Sequence, residues 1–406
     1  MRLNVTVHIQ GRPAKRLYVQ HIWSVFGVGA PIDLYITDDK GRVRDEKGRL
    51  GINSTSSEAD IRILAQNPVA RMVSIAAVWP VFKDKKIENG TVVNIDTSDE
   101  HVDHFVILEM AMNCYDQVHR HFDPFLAFSR AEFPFARQPT LEATRDQNRR
   151  IDIVYPDNLP QQAPFVEPKS IATGYPLVHL KDKNQAEKDG RYDSYNRLFG
   201  LNGQRPEIVP HELSHALHFT LLNPSARQKV QDDYVRFLVG TIIRDNDASH
   251  KISKRTTPMV AYIEAFGAFS ERASAFVRYW ANQHNDPNVL TTTFDADLAK
   301  EFIKAETKSY SNPNDYWLKG DAQVAKIENG HVTWLKPKYT SLESEGAIYG
   351  AIFLDFANQI SMAKAVKAYY GSQALNFTGY QTWVKAEWTG GREAQAIDDV
   401  AKRWDL

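Results

Sequence analysis

Residues 206–223 read PEIVPHELSHALHFTLLN and contain two histidines four positions apart, His211 and His215. Side chains at positions i and i+4 of an α-helix lie one above the other on one face, so both imidazoles can reach a single ion. The apolar residues around them predict a buried helix. Pro210 fits only its first turn, and Pro224 is expected to follow its end.

Glu212 directly follows His211, so that residues 211–215 form an HExxH pattern. Zinc accepts two imidazole nitrogens at about 2.0–2.1 Å and lowers the pKa of a bound water toward about 7. Glu212 would stand beside such a water and could take its proton. The alternative interpretation is a helix whose histidines are only hydrogen-bonded in a core.

The segment PHELSHALHF, residues 210–219, resembles the active-site helix of the zincin metallopeptidases. The resemblance implies a Zn2+ enzyme that cleaves a peptide or protein substrate, with His211 and His215 as metal ligands and Glu212 as general base. The longer metzincin motif is not matched, because His218 and Leu221 stand where that motif has Gly and His.

A third zinc ligand is expected downstream, in residues 258–276, which read PMVAYIEAFGAFSERASAF. The part from Tyr262 to Ala268 resembles the glutamate helix of the gluzincins, which implies Glu264 as the ligand. Glu271, seven residues further along the same helical face, is the alternative third ligand. If Glu264 is the ligand, Glu271 would instead orient an imidazole. Asp245 is a third option, by analogy with aspzincins, although their pattern is not reproduced.

An oxyanion donor is also expected in a metallopeptidase. Residues 345–356, EGAIYGAIFLDF, resemble the tyrosine-bearing helix of some gluzincins, which implies that Tyr349 is this catalytic donor. A tyrosine packed in the core remains the alternative.

The N-terminal residues 1–97 show the period-two alternation of short β-strands. Apolar residues alternate or cluster at 3–9, 32–36, 61–64, 72–77 and 91–95. This even spacing predicts a β-sandwich. Its pattern resembles a transthyretin-like or carboxypeptidase-regulatory-like β-domain. The sequence leaves open whether this domain binds a protein, a sugar or the catalytic domain itself. No internal repeat is evident.

From residue 98 the pattern becomes largely helical. Apolar residues at helical spacing predict a helix over 100–121 with Asp99 as its cap, and strands are predicted at 151–155 and near 175–180. The predicted fold class is therefore α+β: an N-terminal β-sandwich, followed over 98–406 by a mostly helical zincin-type catalytic domain with a small sheet.

The composition excludes several kinds of partner. The 49 basic and 50 acidic residues give a formal charge of −1, so no nucleic-acid partner is expected. No apolar run reaches the roughly 18 residues of a membrane span. The N-terminus lacks the apolar core of a secretory signal, and Cys114 is the only cysteine. A cytoplasmic protein, or one exported without a classical signal peptide, fits these features.

Two other functions stay open on the sequence. The chain could be a catalytically idle zincin scaffold that acts as a binding or adaptor protein, or a zinc hydrolase of a non-peptide amide. Intact His211, Glu212 and His215 argue against a degenerate site. The histidines at 101, 104, 119 and 121 are interpreted as surface or hydrogen-bonded residues, and Cys114 as a structural thiol.

Overall fold

The computed structural model describes residues 1–25, 28–73, 81–114, 151–155, 165–167, 170–171, 176–180, 208–245, 259–260, 262–267, 269–270, 325–328, 331–334, 352–353, 355–357 and 359–404. These residues contain both helices and strands, so the protein belongs to the predicted α+β class. Two compact units divide the chain. The first holds the described residues up to 114 together with 151–155 and 177–180, and the second holds the remainder.

The first unit is built mainly from short strands. Its elements are β1 (Arg2–Leu3), β2 (Val5–Ile9), β3 (Arg12–Pro13), β4 (Tyr18–Val25), β5 (Val28–Thr37), β6 (Val43–Arg44), β7 (Ile52–Asn53), β8 (Glu58–Leu64), β9 (Ala70–Val73), β10 (Phe82–Glu88), β11 (Thr91–Ile95), α1 (Val102–Cys114) and β12 (Ile151–Val154). The second unit contributes β13 (Phe165–Val166), and the first contributes β14 (Leu177–His179).

Two main sheets organise the N-terminal strands. One has five strands in the order β10-β8-β4-β5-β6, all paired antiparallel, and the other has three in the order β11-β2-β3. In β2, Val5, Val7 and Ile9 are buried while the residues between them are half-exposed. Such alternation gives a strand one apolar face and one wetter face, as the sequence pattern predicts. The sandwich arrangement of these sheets stays a prediction.

Two consecutive turns have closely similar sequences and the same hydrogen-bond pattern. Residues 38–42 read DDKGR and residues 45–49 read DEKGR. In each copy, the first Asp accepts hydrogen bonds of 2.9 Å from the N–H groups two and four residues later. Gly41 and Gly48 have φ of 73° and 72°, a backbone conformation that favours glycine.

A parallel sheet and one helix complete the first unit. Strand β12 pairs in parallel with both β9 and β14. Helix α1 lies against β9, and its Phe105 and Leu108 are fully buried. The side chain of Asn67 ties the two together by donating to the Leu108 carbonyl oxygen at 2.9 Å. The strands predicted at 151–155 and near 175–180 are thereby confirmed as β12 and β14.

Helix α1 differs from its prediction at the start. It begins at Val102 rather than at residue 100, and its described part ends at Cys114. Asp99 was expected to cap it, but its carboxylate accepts from the N–H of Asp96 and pairs with Lys83. The Asp99 carboxylate is therefore used in the turn before the helix and in the pair with Lys83, instead of capping α1.

The described part of the second unit is mostly helical. It contains α2 (Ile208–Leu221), α3 (Pro224–Asp245), β15 (Ala325–Glu328), β16 (His331–Trp334), α4 (Met362–Ser372), α5 (Phe377–Glu387) and α6 (Arg392–Trp404). Helical residues 259–260, 262–267 and 269–270, here called the glutamate helix, lie between α3 and β15 in the chain. None of the described helices is long and apolar enough to cross a membrane.

Candidate metal centre

Helix α2 carries the HExxH pattern, and its bounds follow from local sequence. It begins at Ile208, so Pro210 lies in its first turn, where the absent N–H costs no hydrogen bond. The next helix starts at Pro224, and the Asn223 side chain caps it by accepting from the N–H of Ala226 at 2.9 Å. The predicted helix and its predicted end are confirmed.

The apolar face of α2 fixes the direction of the histidines. Leu213, Ala216 and Leu217 are almost completely buried, which anchors the helix in the interior of the second unit. The His211 side chain is 20% exposed, whereas His215 is buried. Their rings lie edge to face with centroids 4.7 Å apart. The pair therefore faces a site that solvent reaches from the His211 side.

Glu264 lies beside both imidazoles. Its Oε2 is 3.2 Å from Nε2 of His211 and 3.6 Å from Nε2 of His215. One ligand atom from each of the three residues lies within 4.8 Å of the other two. Two ligand atoms on a tetrahedral zinc with bonds of about 2.0–2.1 Å stand about 3.3 Å apart. The two separations between Glu264 and the histidines lie near this value, so the donor types and these two distances are compatible with a zinc ion.

The charge state of Glu264 also suits a ligand. Burial in the interior works against ionisation of its carboxyl, but the charge of His215 and the hydrogen bond from His211 outweigh this effect. Together they hold the pKa of Glu264 well below its usual range. The group is therefore a carboxylate at neutral pH, which is the form that binds a metal.

Gly267 lets the glutamate helix approach α2 closely. A Cβ atom at this position would stand 2.7 Å from Cε1 of His215 and 2.8 Å from Nε2 of His211. Real Cβ atoms essentially never approach other heavy atoms this closely. Gly267 follows Glu264 by three positions, so both lie on the helix face that meets the imidazoles. The sequence alone had predicted no role for Gly267.

Tyr234 of α3 is a second residue that sequence reasoning missed. Its hydroxyl donates to Oε1 of Glu264 at 2.8 Å, and its ring packs edge to face on Phe219. Val230 and Tyr234 form the buried stripe of an otherwise polar helix segment. This i, i+4 spacing could have predicted burial, but not the partner, because the partner is 30 positions away.

His218 belongs to an aromatic layer rather than to the three candidate ligands. Its Nδ1 lies 2.7 Å from the Tyr369 hydroxyl of α4, and the residue is fully buried. Burial, together with the charge of His215, lowers the pKa of His218 to about 3. Phe266 of the glutamate helix stacks parallel on Tyr369. This layer joins α2, α4 and the glutamate helix, as expected for a histidine that packs.

Glu212 is buried with 7% of its surface exposed. It lies on helix α2 directly after His211 and three positions before His215, which makes it a neighbour of His215 on the helix surface. A carboxylate at this position can act as the base for a water held beside the candidate ligands.

Several predicted residues lie outside the described part of the chain. Glu271, Tyr349, His119 and His121 are among them, and the side chain of Asp245 is not described. The other two histidines of the early cluster behave as predicted. Nε2 of buried His104 is 2.8 Å from the Tyr155 carbonyl oxygen, and His101 packs against the His104 ring.

Comparison with known proteins gives no assignment: no family model matches this chain, and no curated protein matches its sequence. The chemistry of the site is thus the basis for a functional proposal.

Proposed function

We propose that this protein is a zinc-dependent metallopeptidase of the gluzincin type. The observation that carries the proposal is that the side chains of His211, His215 and Glu264 lie together. Oε2 of Glu264 is 3.2 Å from Nε2 of His211 and 3.6 Å from Nε2 of His215. Three protein ligands of this kind leave one position for water or substrate in a catalytic zinc site. A closed structural site would use four.

The residues divide the chemistry between them. Zinc bound here would polarise a substrate carbonyl and lower the pKa of a nearby water. Glu212 takes a proton from that water and passes it to the leaving amine, which is the general acid–base role of the second residue in an HExxH pattern. Tyr349 is proposed as the oxyanion donor by resemblance alone.

The finer architecture belongs to the same proposal. Residues 1–97 form a transthyretin-like β-sandwich that binds a protein or sugar ligand, and residues 98–406 form a zincin-type catalytic domain with a small sheet. The alternating burial of β2 and the HExxH helix α2 support the two halves of this assignment.

Metal content tests the site directly. Purified wild-type protein is expected to bind about one zinc per chain, and His215→Ala and Glu264→Ala are each expected to lose it, because a three-ligand site lacking one ligand holds zinc weakly. Elemental analysis after dialysis measures this. His101→Ala is the matched control, because His101 lies outside the donor set and should leave the zinc content unchanged.

Two outcomes of this measurement would contradict parts of the proposal. Wild-type protein that binds no metal after incubation with zinc would exclude the zinc hydrolase. Zinc retained by Glu264→Ala would reject Glu264 as the third ligand and favour Glu271 or Asp245.

Gly267→Ala should weaken zinc binding by about tenfold or more. In an ordinary helix interior, Gly→Ala stabilises by about 1 kcal/mol. Here the new methyl group would overlap both imidazoles and push them from their positions. Zinc affinity by competition with a chelator measures the effect. Gly379→Ala is the control, because a Cβ there meets no atom closer than 3.3 Å. Unchanged affinity in Gly267→Ala would show that the imidazoles bind metal in another arrangement.

A further inference from the structure

The two carboxylate oxygens of Glu264 have different surroundings. Oε2 faces the imidazoles of His211 and His215 at 3.2 and 3.6 Å. Oε1 accepts a hydrogen bond of 2.8 Å from the Tyr234 hydroxyl. Both oxygens of the carboxylate are therefore held in place. Oε2 is directed at the two histidines, and Oε1 is hydrogen-bonded to Tyr234.

Tyr234 is built to donate and to stay in place. The residue is 6% exposed, and Phe219 packs edge to face on its ring with centroids 6.3 Å apart. Its hydroxyl donates to the buried carboxylate at 2.8 Å, which makes it a charge-assisted donor.

We propose that Tyr234 is a positioning residue that occupies Oε1 of Glu264 and leaves only Oε2 for a metal. This inference depends on the proposed function of the site. A carboxylate that gives a metal one oxygen preserves the count of three protein ligands and one open position. A carboxylate free to give both oxygens would fill that position and displace the water that the reaction needs.

Tyr234→Phe tests the proposal, because it removes the hydroxyl and keeps the ring against Phe219. Zinc affinity, measured by chelator competition, is expected to fall about 10–100-fold, the usual effect of losing a group that orients a ligand. In the cobalt-substituted variant, the visible absorption should weaken as a fifth donor atom joins the metal. The control is Tyr380→Phe, whose lost hydroxyl bonds only a backbone carbonyl oxygen at 3.4 Å among the described residues.

The outcomes separate the inference from the function that it deepens. Wild-type affinity and a wild-type cobalt spectrum in Tyr234→Phe would overturn the positioning role while leaving the zinc site intact. Absence of metal in the wild type would overturn both. Should Tyr234→Phe fail to fold, a crystal structure of the zinc-loaded wild type decides: one oxygen of Glu264 on the metal supports the proposal, and both oxygens overturn it.

Discussion

Glu212→Gln is expected to lower kcat/KM for peptide hydrolysis by about 10²–10⁴-fold while leaving the zinc content unchanged. Glutamine has nearly the same shape as glutamate but cannot take a proton from water at neutral pH. Glu212 is outside the set of three ligand atoms, so its replacement should not remove metal. Because glutamine keeps the shape of the buried side chain, the variant is expected to remain folded.

The measurement needs a substrate first. Profiling of the zinc-loaded wild type on a mixture of peptides identifies a cleaved sequence, and kcat/KM is then compared on that peptide. Glu387→Gln is the matched control, since the same chemical change at an exposed position of helix α5 removes a surface pair with Lys367. Thermal unfolding of each variant verifies that it is folded.

Two results would argue against the assigned role. Unchanged hydrolysis by Glu212→Gln would show that another group takes the proton. A wild type that binds zinc yet cleaves no peptide would favour the alternatives: a binding protein on a zincin scaffold, or a hydrolase of a non-peptide amide. Assays on small amides and esters separate these two.

The features of the site that could be predicted from sequence are those fixed by neighbouring residues in the chain. The bounds of α2 depend on Pro210, Asn223 and Pro224, all within a few residues of the helix ends. The shared direction of His211 and His215 depends only on helical periodicity. Features of this kind require no knowledge of the tertiary structure.

The part that sequence reasoning missed is tertiary. Gly267 matters because two helices approach closely, and Tyr234 matters because α3 brings it to Glu264. Neither residue is unusual in its own segment. Only the packing of α2, α3 and the glutamate helix shows what each contacts.

Two of the longer strands of the first unit, β4 and β10, escaped prediction. In β10, Ile87 is the only residue that is buried, so the apolar signal of a strand is absent. Strand β4 has a register shift against β5 between His21 and Ile22, which interrupts the regular pairing. Backbone pairing rather than side-chain pattern defines these strands.

The sequence did not predict the buried ion pair of the first unit. Each of its two residues is the only charged residue in a short, buried strand. Arg71 of β9 and Asp152 of β12 are direct neighbours in the parallel register. They form two hydrogen bonds, Nε to Oδ1 at 3.0 Å and Nη2 to Oδ2 at 2.8 Å. Their side chains are only 2% and 6% exposed. Asp152 lies in the strand predicted at 151–155, but Arg71 directly precedes the one predicted at 72–77, so the pair did not follow from the predicted strands.

Asp152→Ala is expected to destabilise the protein by about 3–5 kcal/mol, because it leaves the Arg71 guanidinium buried without its carboxylate. For a unit of about 150 residues or somewhat more, this corresponds to a fall in Tm of about 6–20 °C. Urea and thermal unfolding of the full chain measure the change. Asp84→Ala is the control, since the exposed pair that Asp84 forms with Arg62 should contribute less than about 1 kcal/mol.

A double variant separates the cost of removing one partner from the net contribution of the ion pair. Arg71→Met combined with Asp152→Leu removes both charges and fills the space with apolar atoms, so it should recover much of the stability lost by Asp152→Ala. The net contribution of a buried pair is small because desolvation offsets its attraction, whereas a lone buried charge keeps the full desolvation cost. If the double variant were as unstable as Asp152→Ala, the specific geometry of the pair, rather than the cost of removing one partner, would account for the lost stability.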